Sequence, residues 1–183
     1  MKCTIEAKIL PLAGVSGHLY LEVFDETGKR IAQVNGFATS AKTGDTRSLG
    51  LPGDLIKAYL SCDHGGIVLA ASYRCGRDDH AHNGCALFEG TRAEVDLAID
   101  AMRKRAAEIN AEKAPYLLLS LNSNTVFSEM VTAAETVVPV DRKALDVLLA
   151  SKITLPGVAT DFTKAVTALK AAPPKTAPKP PKL

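Results

Sequence analysis

The sequence predicts an α+β fold, in which an antiparallel sheet of about five strands packs against two or three helices. Apolar and polar residues alternate over residues 17–24 and again, after a short turn, over residues 30–37, which is typical of a β-hairpin. Farther along, apolar residues recur at three- and four-residue spacing over 95–109 and 126–134, which is typical of amphipathic helices. At 183 residues, the chain is long enough to bury a sizeable core as one domain.

The predicted hairpin has one polar and one apolar face. With Thr27 and Gly28 as a two-residue loop, the register places Tyr20 opposite Asn35. Residues two apart share a face. The polar face then holds His18, Tyr20, Glu22, Gln33 and Asn35, and the apolar face holds Leu19, Leu21, Val23, Ala32 and Val34. A bulge in the loop would shift the register by one residue and undo this pairing.

The remaining elements are predicted from the two-residue alternation of strands and the three- and four-residue spacing of helices. Further strands are predicted over residues 4–10, 55–61, 67–74 and 85–88, and loops over 38–53 and 75–84. Thr91 followed by Glu94 is a capping box that opens the clearest helix, which ends before Pro115. Shorter helices are predicted over 142–150 and 161–171.

The motif Asn122-Ser123-Asn124-Thr125 lies between an apolar run, residues 116–121, and the helical pattern over 126–134. Asn, Ser and Thr favour helix starts because their side-chain oxygens accept the first free backbone N–H groups. We therefore predict that this helix begins at 122–124. A polar side chain at that point lies in the positive field of the helix N-terminus, where nucleophiles and anion contacts are common.

Composition excludes several classes of function. The chain is 46% hydrophobic and 23% charged, which is typical of a globular protein. A net charge of +2 and only 5% aromatic residues argue against a nucleic-acid surface. No apolar run reaches the length of a membrane span, and residues 1–8 lack the apolar centre of a signal peptide.

The same features predict a cytoplasmic protein with four free thiols, although export without a cleaved signal would leave no trace in the sequence. We expect one globular domain over residues 1–171. Residues 172–183 are rich in Pro and Lys and predict an extended tail that packs no core.

A Gly-His-aliphatic strand near the amino end and an Asn-Ser-Asn helix start resemble the circularly permuted papain-like hydrolases, including the cell-wall peptidase and lecithin–retinol acyltransferase types. The resemblance covers residues 18–134, and bacterial proteins that carry Asn-Ser-Asn-Thr at this point are also similar. In that family, an early strand His is the base and a late Cys at a helix start is the nucleophile. The resemblance implies that His18 is the base, that Ser123 takes the nucleophile position, and that Asn35 orients the imidazole.

This sequence departs from the family at the nucleophile, because Ser replaces Cys. A thiol is readily ionised beside a helix N-terminus, whereas a serine hydroxyl needs a base that takes its proton in the transition state and an oxyanion hole. The competing structural interpretations are a helix cap for Ser123, a hydrogen-bonded strand histidine for His18, and a turn-adjacent polar residue for Asn35. Tyr20, Asn122 and Asn124 are the candidates for substrate contact, with a core or rim position as the alternative for Tyr20.

A second cluster of candidate residues predicts a different chemistry. Thiolates, imidazoles and carboxylates that could bind zinc are concentrated in one segment. These residues are Cys62, His64, Cys75, Asp78, Asp79, His80, His82 and Cys85. Their spacing matches no common zinc motif, so the alternative is a polar loop between strands with half-buried thiols. In an exported protein, Cys75 and Cys85 could instead form a disulfide.

Three functions therefore remain open from the sequence. The first is a hydrolase or acyltransferase that acts on an amide or ester without a cofactor; the resemblance implies cell-wall peptides or lipid esters as substrates, and an antibacterial effector role. The second is a catalytically inactive relative that binds a ligand or a partner protein. The third is a metal-binding or structural module that uses residues 62–85.

Overall fold

A computed structural model describes residues 2–12, 16–47, 50–62, 84–150 and 155–172 of the protein. The strands are β1 (Cys3–Leu12), β2 (Ser16–Phe24), β3 (Arg30–Thr39), β4 (Thr46–Arg47), β5 (Leu55–Cys62) and β6 (Gly84–Gly90). The helices are α1 (Arg92–Glu112), α2 (Ser123–Glu135), α3 (Arg142–Leu149) and α4 (Phe162–Ala171).

The predicted α+β class is confirmed. All pairs of neighbouring strands are antiparallel, in the order β4-β3-β2-β1-β6, and β5 also pairs with β3. The described sheet has six strands: five correspond to predicted strands, and the two-residue β4 forms inside the predicted loop over 38–53. The strand predicted over 67–74 lies outside the described residues, as does the tail beyond Ala172.

The register of the β2–β3 hairpin is the predicted one over Leu21 to Val23, where the pairing ends before the predicted pair of Tyr20 and Asn35, and the loop is not the predicted one. Leu21 pairs with Val34, as the prediction requires. However, the loop is one residue longer than predicted, because Asp25 N–H donates to the carbonyl of Lys29 and Gly28 adopts a φ of 81°. An irregularity next to Phe24, where Ile31 is the extra residue, then shifts the register back. The two shifts cancel, and the predicted faces survive.

The helices cover the face of the sheet that carries the apolar side chains, which we call the helix face. α2 packs across β2 and β3, α1 across β5 and β1, and α3 against β6. The strand residues in this core include Ile5, Ala7, Ile9, Leu19, Leu21, Val23, Val34, Ile56 and Ala58. The helix residues that face it include the predicted stripe of α1, which is Val95, Ala98, Ile99, Met102, Ala106 and Ile109.

A glycine lets α2 approach the sheet closely. A Cβ atom on Gly36 would lie 2.6 Å from the Cβ of Val126 and 2.9 Å from the Cα of Ser123, well inside normal contact. The backbone of β3 therefore touches the first turn of α2 at this point. Because successive residues of a strand point to opposite faces, Asn35 and Phe37 project from the other side of the sheet.

The helix starts agree with the capping signals in the sequence. Thr91 and Glu94 form the predicted capping box of α1, and Asn122 caps α2. Asp141 and Asp161 cap α3 and α4. Among the described helices, none combines the length and the apolar character that crossing a membrane requires.

Candidate functional site

His18 is the buried centre of the polar face, which we define as the face of the hairpin that carries His18, Tyr20, Glu22, Gln33, Asn35 and Phe37. Its side chain retains 6% of its exposure. The imidazole stacks on the ring of Phe37, with centroids 5.4 Å apart, and on that of Tyr20 at 6.1 Å. Burial lowers the pKa of His18, and the hydrogen bond to Asn35 opposes that shift only in part. The imidazole is therefore neutral at pH 7.

A row of hydrogen bonds links His18 to the surface along this face. His18 Nε2 lies 3.0 Å from Asn35 Oδ1, and Asn35 Nδ2 donates to Gln33 Oε1 at 3.1 Å. Gln33 Nε2 then donates to Glu22 Oε1 at 3.1 Å. The same carboxylate oxygen accepts from Arg30 Nη1 at 2.7 Å, and the Arg30 side chain is 43% exposed. Every polar group of this row except Arg30 is buried.

The side chain of Asn124 joins α2 to the strand that carries His18. Its Oδ1 accepts from Leu19 N–H at 2.9 Å, and its Nδ2 donates to the carbonyl of Gly17 at 3.0 Å. These backbone groups lie on either side of His18, and the amide of Asn124 makes the hydrogen bonds with them that a neighbouring strand would make. Nδ2 also donates to the carbonyl of Pro156 at 3.1 Å.

Asn122 and Thr125 complete a buried joint at the start of α2. Asn122 Oδ1 caps the helix, while its Nδ2 donates to the carbonyls of Leu118 at 2.6 Å and Pro156 at 3.0 Å. The hydroxyl of Thr125 contacts the carbonyls of Ser120 and Gly157. The side chains of Asn122 and Thr125 are thus bonded to backbone groups of the preceding loop, of α2 and of residues 156–157.

Ser123 and His18 contact different residues of β3. Its Cα stands over Gly36 on the helix face, whereas the His18 ring bonds to Asn35 on the polar face. Among the described residues, the His18 ring hydrogen-bonds only to Asn35, and the Ser123 hydroxyl makes no hydrogen bond. Of the predicted catalytic residues, His18 and Asn35 are joined by a hydrogen bond, and among the described residues no hydrogen bond links either of them to Ser123.

The segment before α2 exposes three consecutive leucines, residues 117–119, which we call the leucine loop. Leu117 N–H donates to the carbonyl of Leu121 at 2.8 Å, which closes a tight turn. Leu118 is 50% and Leu119 78% exposed, although the backbone between them and α2 is held by Asn122. The loop therefore presents apolar side chains on a fixed backbone.

The predicted metal segment falls almost entirely outside the described residues. Cys85 is half-buried, and burial raises the pKa of its thiol. Cys3 and Cys85 are both free thiols. Within the described ranges, no three His, Cys, Asp or Glu side chains are grouped to hold a metal ion.

Two features of the site were not recognised in the sequence. The two-residue period correctly placed Glu22, Gln33 and Asn35 on one face with His18, but it did not indicate that their side chains form one hydrogen-bonded row. The run of leucines over 117–119 was visible, but its exposure was not. None of the family models, curated proteins or solved structures compared with this chain matches it.

Proposed function

We propose that the protein is a catalytically inactive binding module whose strand histidine and helix start resemble those of the permuted papain-like hydrolases. The observation that carries this proposal is that His18 bonds to Asn35 and that no hydrogen bond links it to Ser123 among the described residues. A serine nucleophile needs a base within hydrogen-bond reach, about 2.6–3.2 Å. Ser123 lies against the backbone of β3 at Gly36, whereas His18 Nε2 is engaged with Asn35, and this arrangement supports an inactive site.

The neighbours of Ser123 support the same interpretation. In a hydrolase, polar groups beside the nucleophile would contact the substrate and the oxyanion. Here the amides of Asn122 and Asn124 are buried and bonded to backbone groups. Their contacts serve the packing of α2 and of the leucine loop.

The observation that favours a hydrolase instead is the hydrogen bond between His18 and Asn35. The resemblance implied this pair, with Asn35 orienting the imidazole, and the two atoms lie 3.0 Å apart. A Ser/His hydrolase that acts on an amide or ester is therefore the second candidate. It requires the Ser123 hydroxyl to come within hydrogen-bond reach of the imidazole.

The binding surface that we propose is the leucine loop, with a partner protein as its ligand. Exposed contiguous apolar side chains on a fixed backbone are typical of protein interaction sites. Burying a fully exposed leucine contributes about 1.5–3 kcal/mol, so the 78% exposed Leu119 has the most to gain, and the fixed backbone reduces the entropy lost on binding.

Replacing Ser123 by Cys tests the absence of catalysis. If the thiol at position 123 is not paired with an imidazole, its reaction with an alkylating probe should follow an apparent thiol pKa near 8.5. The helix N-terminus should lower this pKa only modestly. Labelling is measured across pH by mass spectrometry of the peptide that carries the new thiol, with and without His18→Gln. Ser120→Cys, half-buried in the preceding loop, is the control position.

The labelling profile of Ser123→Cys should not change when His18 is replaced. An apparent thiol pKa below about 7 that returns toward 8.5 in the His18→Gln background would establish a thiolate–imidazole pair and support the hydrolase. That result would overturn the proposal of an inactive module.

A further inference from the structure

The hydrogen-bonded row on the polar face has a direction, because its members differ in what they can donate. The Glu22 carboxylate, ion-paired with Arg30, only accepts hydrogen bonds. Gln33 must therefore turn its NH₂ group toward Glu22, as it does at 3.1 Å. Its Oε1 is then left to accept from Asn35 Nδ2, also at 3.1 Å.

The imidazole of His18 is the last member of the row. With Nδ2 committed to Gln33, Asn35 faces His18 with Oδ1, which only accepts. A neutral imidazole carries one N–H, so the hydrogen must be on Nε2 for this 3.0 Å contact to be a hydrogen bond. Only this order satisfies all contacts from Glu22 to His18.

We infer that Glu22 is a positioning residue whose carboxylate, acting through Gln33 and Asn35, holds His18 in the Nε2–H tautomer and leaves Nδ1 as the acceptor nitrogen. Reversing the row would set Gln33 Oε1 against the carboxylate, two acceptors facing each other at a buried site. At its other end, the reversed row would have the NH₂ group of Asn35 donate to an unprotonated Nε2, so the ring would be the Nδ1–H tautomer. This inference holds whether or not His18 takes part in catalysis, and it goes beyond the proposed binding function.

The tautomer is measured directly by two-bond ¹H–¹⁵N correlation spectra of protein labelled with ¹⁵N-histidine at neutral pH. The chain has four histidines, and the loss of signals in His18→Gln identifies those of His18. The unaltered protein should show Nε2–H. Glu22→Gln keeps the shape of the side chain, but its amide can donate as well as accept, so the row of hydrogen bonds can run in either direction. The reversed row no longer sets Gln33 Oε1 against a carboxylate, so the Nδ1–H population should rise roughly tenfold or more.

Arg30→Gln is the matched control. It removes the cation from the same carboxylate but leaves an acceptor-only group in place, so His18 should stay in the Nε2–H form. A thermal melt and amide dispersion verify that both variants fold.

An Nδ1–H or doubly protonated ring in the unaltered protein would overturn the inference without any variant, which keeps it testable even if Glu22→Gln fails to fold. Equal Nε2–H populations in the unaltered protein and in folded Glu22→Gln would also overturn it. A shift of equal size in Arg30→Gln would show that the cation, and not the acceptor character of Glu22, sets the tautomer.

Discussion

His18 is buried on a strand whose other side chains on the same face are polar or aromatic. Burial disfavours the charged imidazolium, and the hydrogen bond to Asn35 offsets this effect only partly, so the folded protein holds the ring neutral. The sequence placed His18, Asn35 and Gln33 on one face because the two-residue period of a strand is local. It did not show that this face is buried, because burial depends on segments distant in the chain.

The lowered pKa of His18 predicts how stability changes with pH. The unfolded imidazole takes up a proton near pH 6.5, whereas the folded one does so only at lower pH. Between these two values the unfolded state binds more protons, so the free energy of unfolding falls as pH decreases. The slope reaches at most about 1.4 kcal/mol per pH unit.

Urea denaturation of the unaltered protein and of His18→Gln at pH 7, 6 and 5 measures this effect. Glutamine keeps a donor for Asn35 but does not titrate. The difference between the two proteins isolates His18, because carboxylates and the other histidines titrate in both. We expect the unaltered protein to lose stability relative to the variant below pH 6.5. Parallel curves would contradict the prediction.

At the scale of the elements, the side chain of Asn124 holds the first turn of α2 to β2 by bonding to backbone groups that a neighbouring strand would otherwise pair with. Asn124 and Leu19 are 105 residues apart in the chain, yet the amide of Asn124 satisfies the N–H of Leu19 and the carbonyl of Gly17. Unsatisfied, each buried backbone group would cost about 1–3 kcal/mol. The capping signal in the sequence located the helix start correctly. It did not show that Asn122 caps the helix while Asn124 bonds to β2.

Asn124→Ala and Ser123→Ala should differ strongly in stability. Asn124→Ala leaves the backbone groups beside His18 without partners and should lower the free energy of unfolding by about 2–4 kcal/mol. Ser123→Ala removes a hydroxyl that bonds to no described residue, so its effect should be within about 0.5 kcal/mol. Chemical denaturation measures both. Similar losses of unfolding free energy in the two variants would show that the contact between α2 and β2 does not depend on the Asn124 amide.

At the scale of the whole molecule, the sheet separates two chemically different faces. The helix face holds the apolar core and the start of α2, and the polar face holds the row from Arg30 to His18. At the end of α2 that touches β3, the leucine loop leaves apolar side chains exposed. An exposed apolar cluster held by buried hydrogen bonds has no role in the core of the monomer, which is why we assign it to binding.

Site-specific photocrosslinking tests this assignment. A photoreactive amino acid replaces Leu119 in one protein and Val147 of α3 in another, positions that are 78% and 71% exposed. The two probes therefore sample the surroundings equally, and only the first lies on the proposed surface. We expect a discrete protein adduct at 119 in the producing cells, lost when Leu118 is changed to Asp. Adducts at both positions, or at neither, would contradict a specific site.

Local rules explain which parts of the fold the sequence predicted. The capping box of Thr91 and Glu94, the apolar stripe of α1 and the alternation in β2 depend on residues within a few positions of one another. The three-residue loop at Gly28 and the compensating bulge at Ile31 were missed. Together they leave the alternation of apolar and polar residues in β2 and β3 unchanged, so that alternation does not reveal them. The correct faces therefore resulted from two deviations that cancel.

The sequence by itself determined the class of the fold, the starts of the four helices and the set of side chains that share a face with His18. Only the tertiary structure decided that α2 covers the opposite face, that Asn124 rather than Ser123 meets β2, and that the leucines before α2 stay exposed. The reason is physical. Periodicity and capping arise from hydrogen bonds over a few residues, whereas the face that a helix covers depends on burying the apolar surface of the whole chain at once.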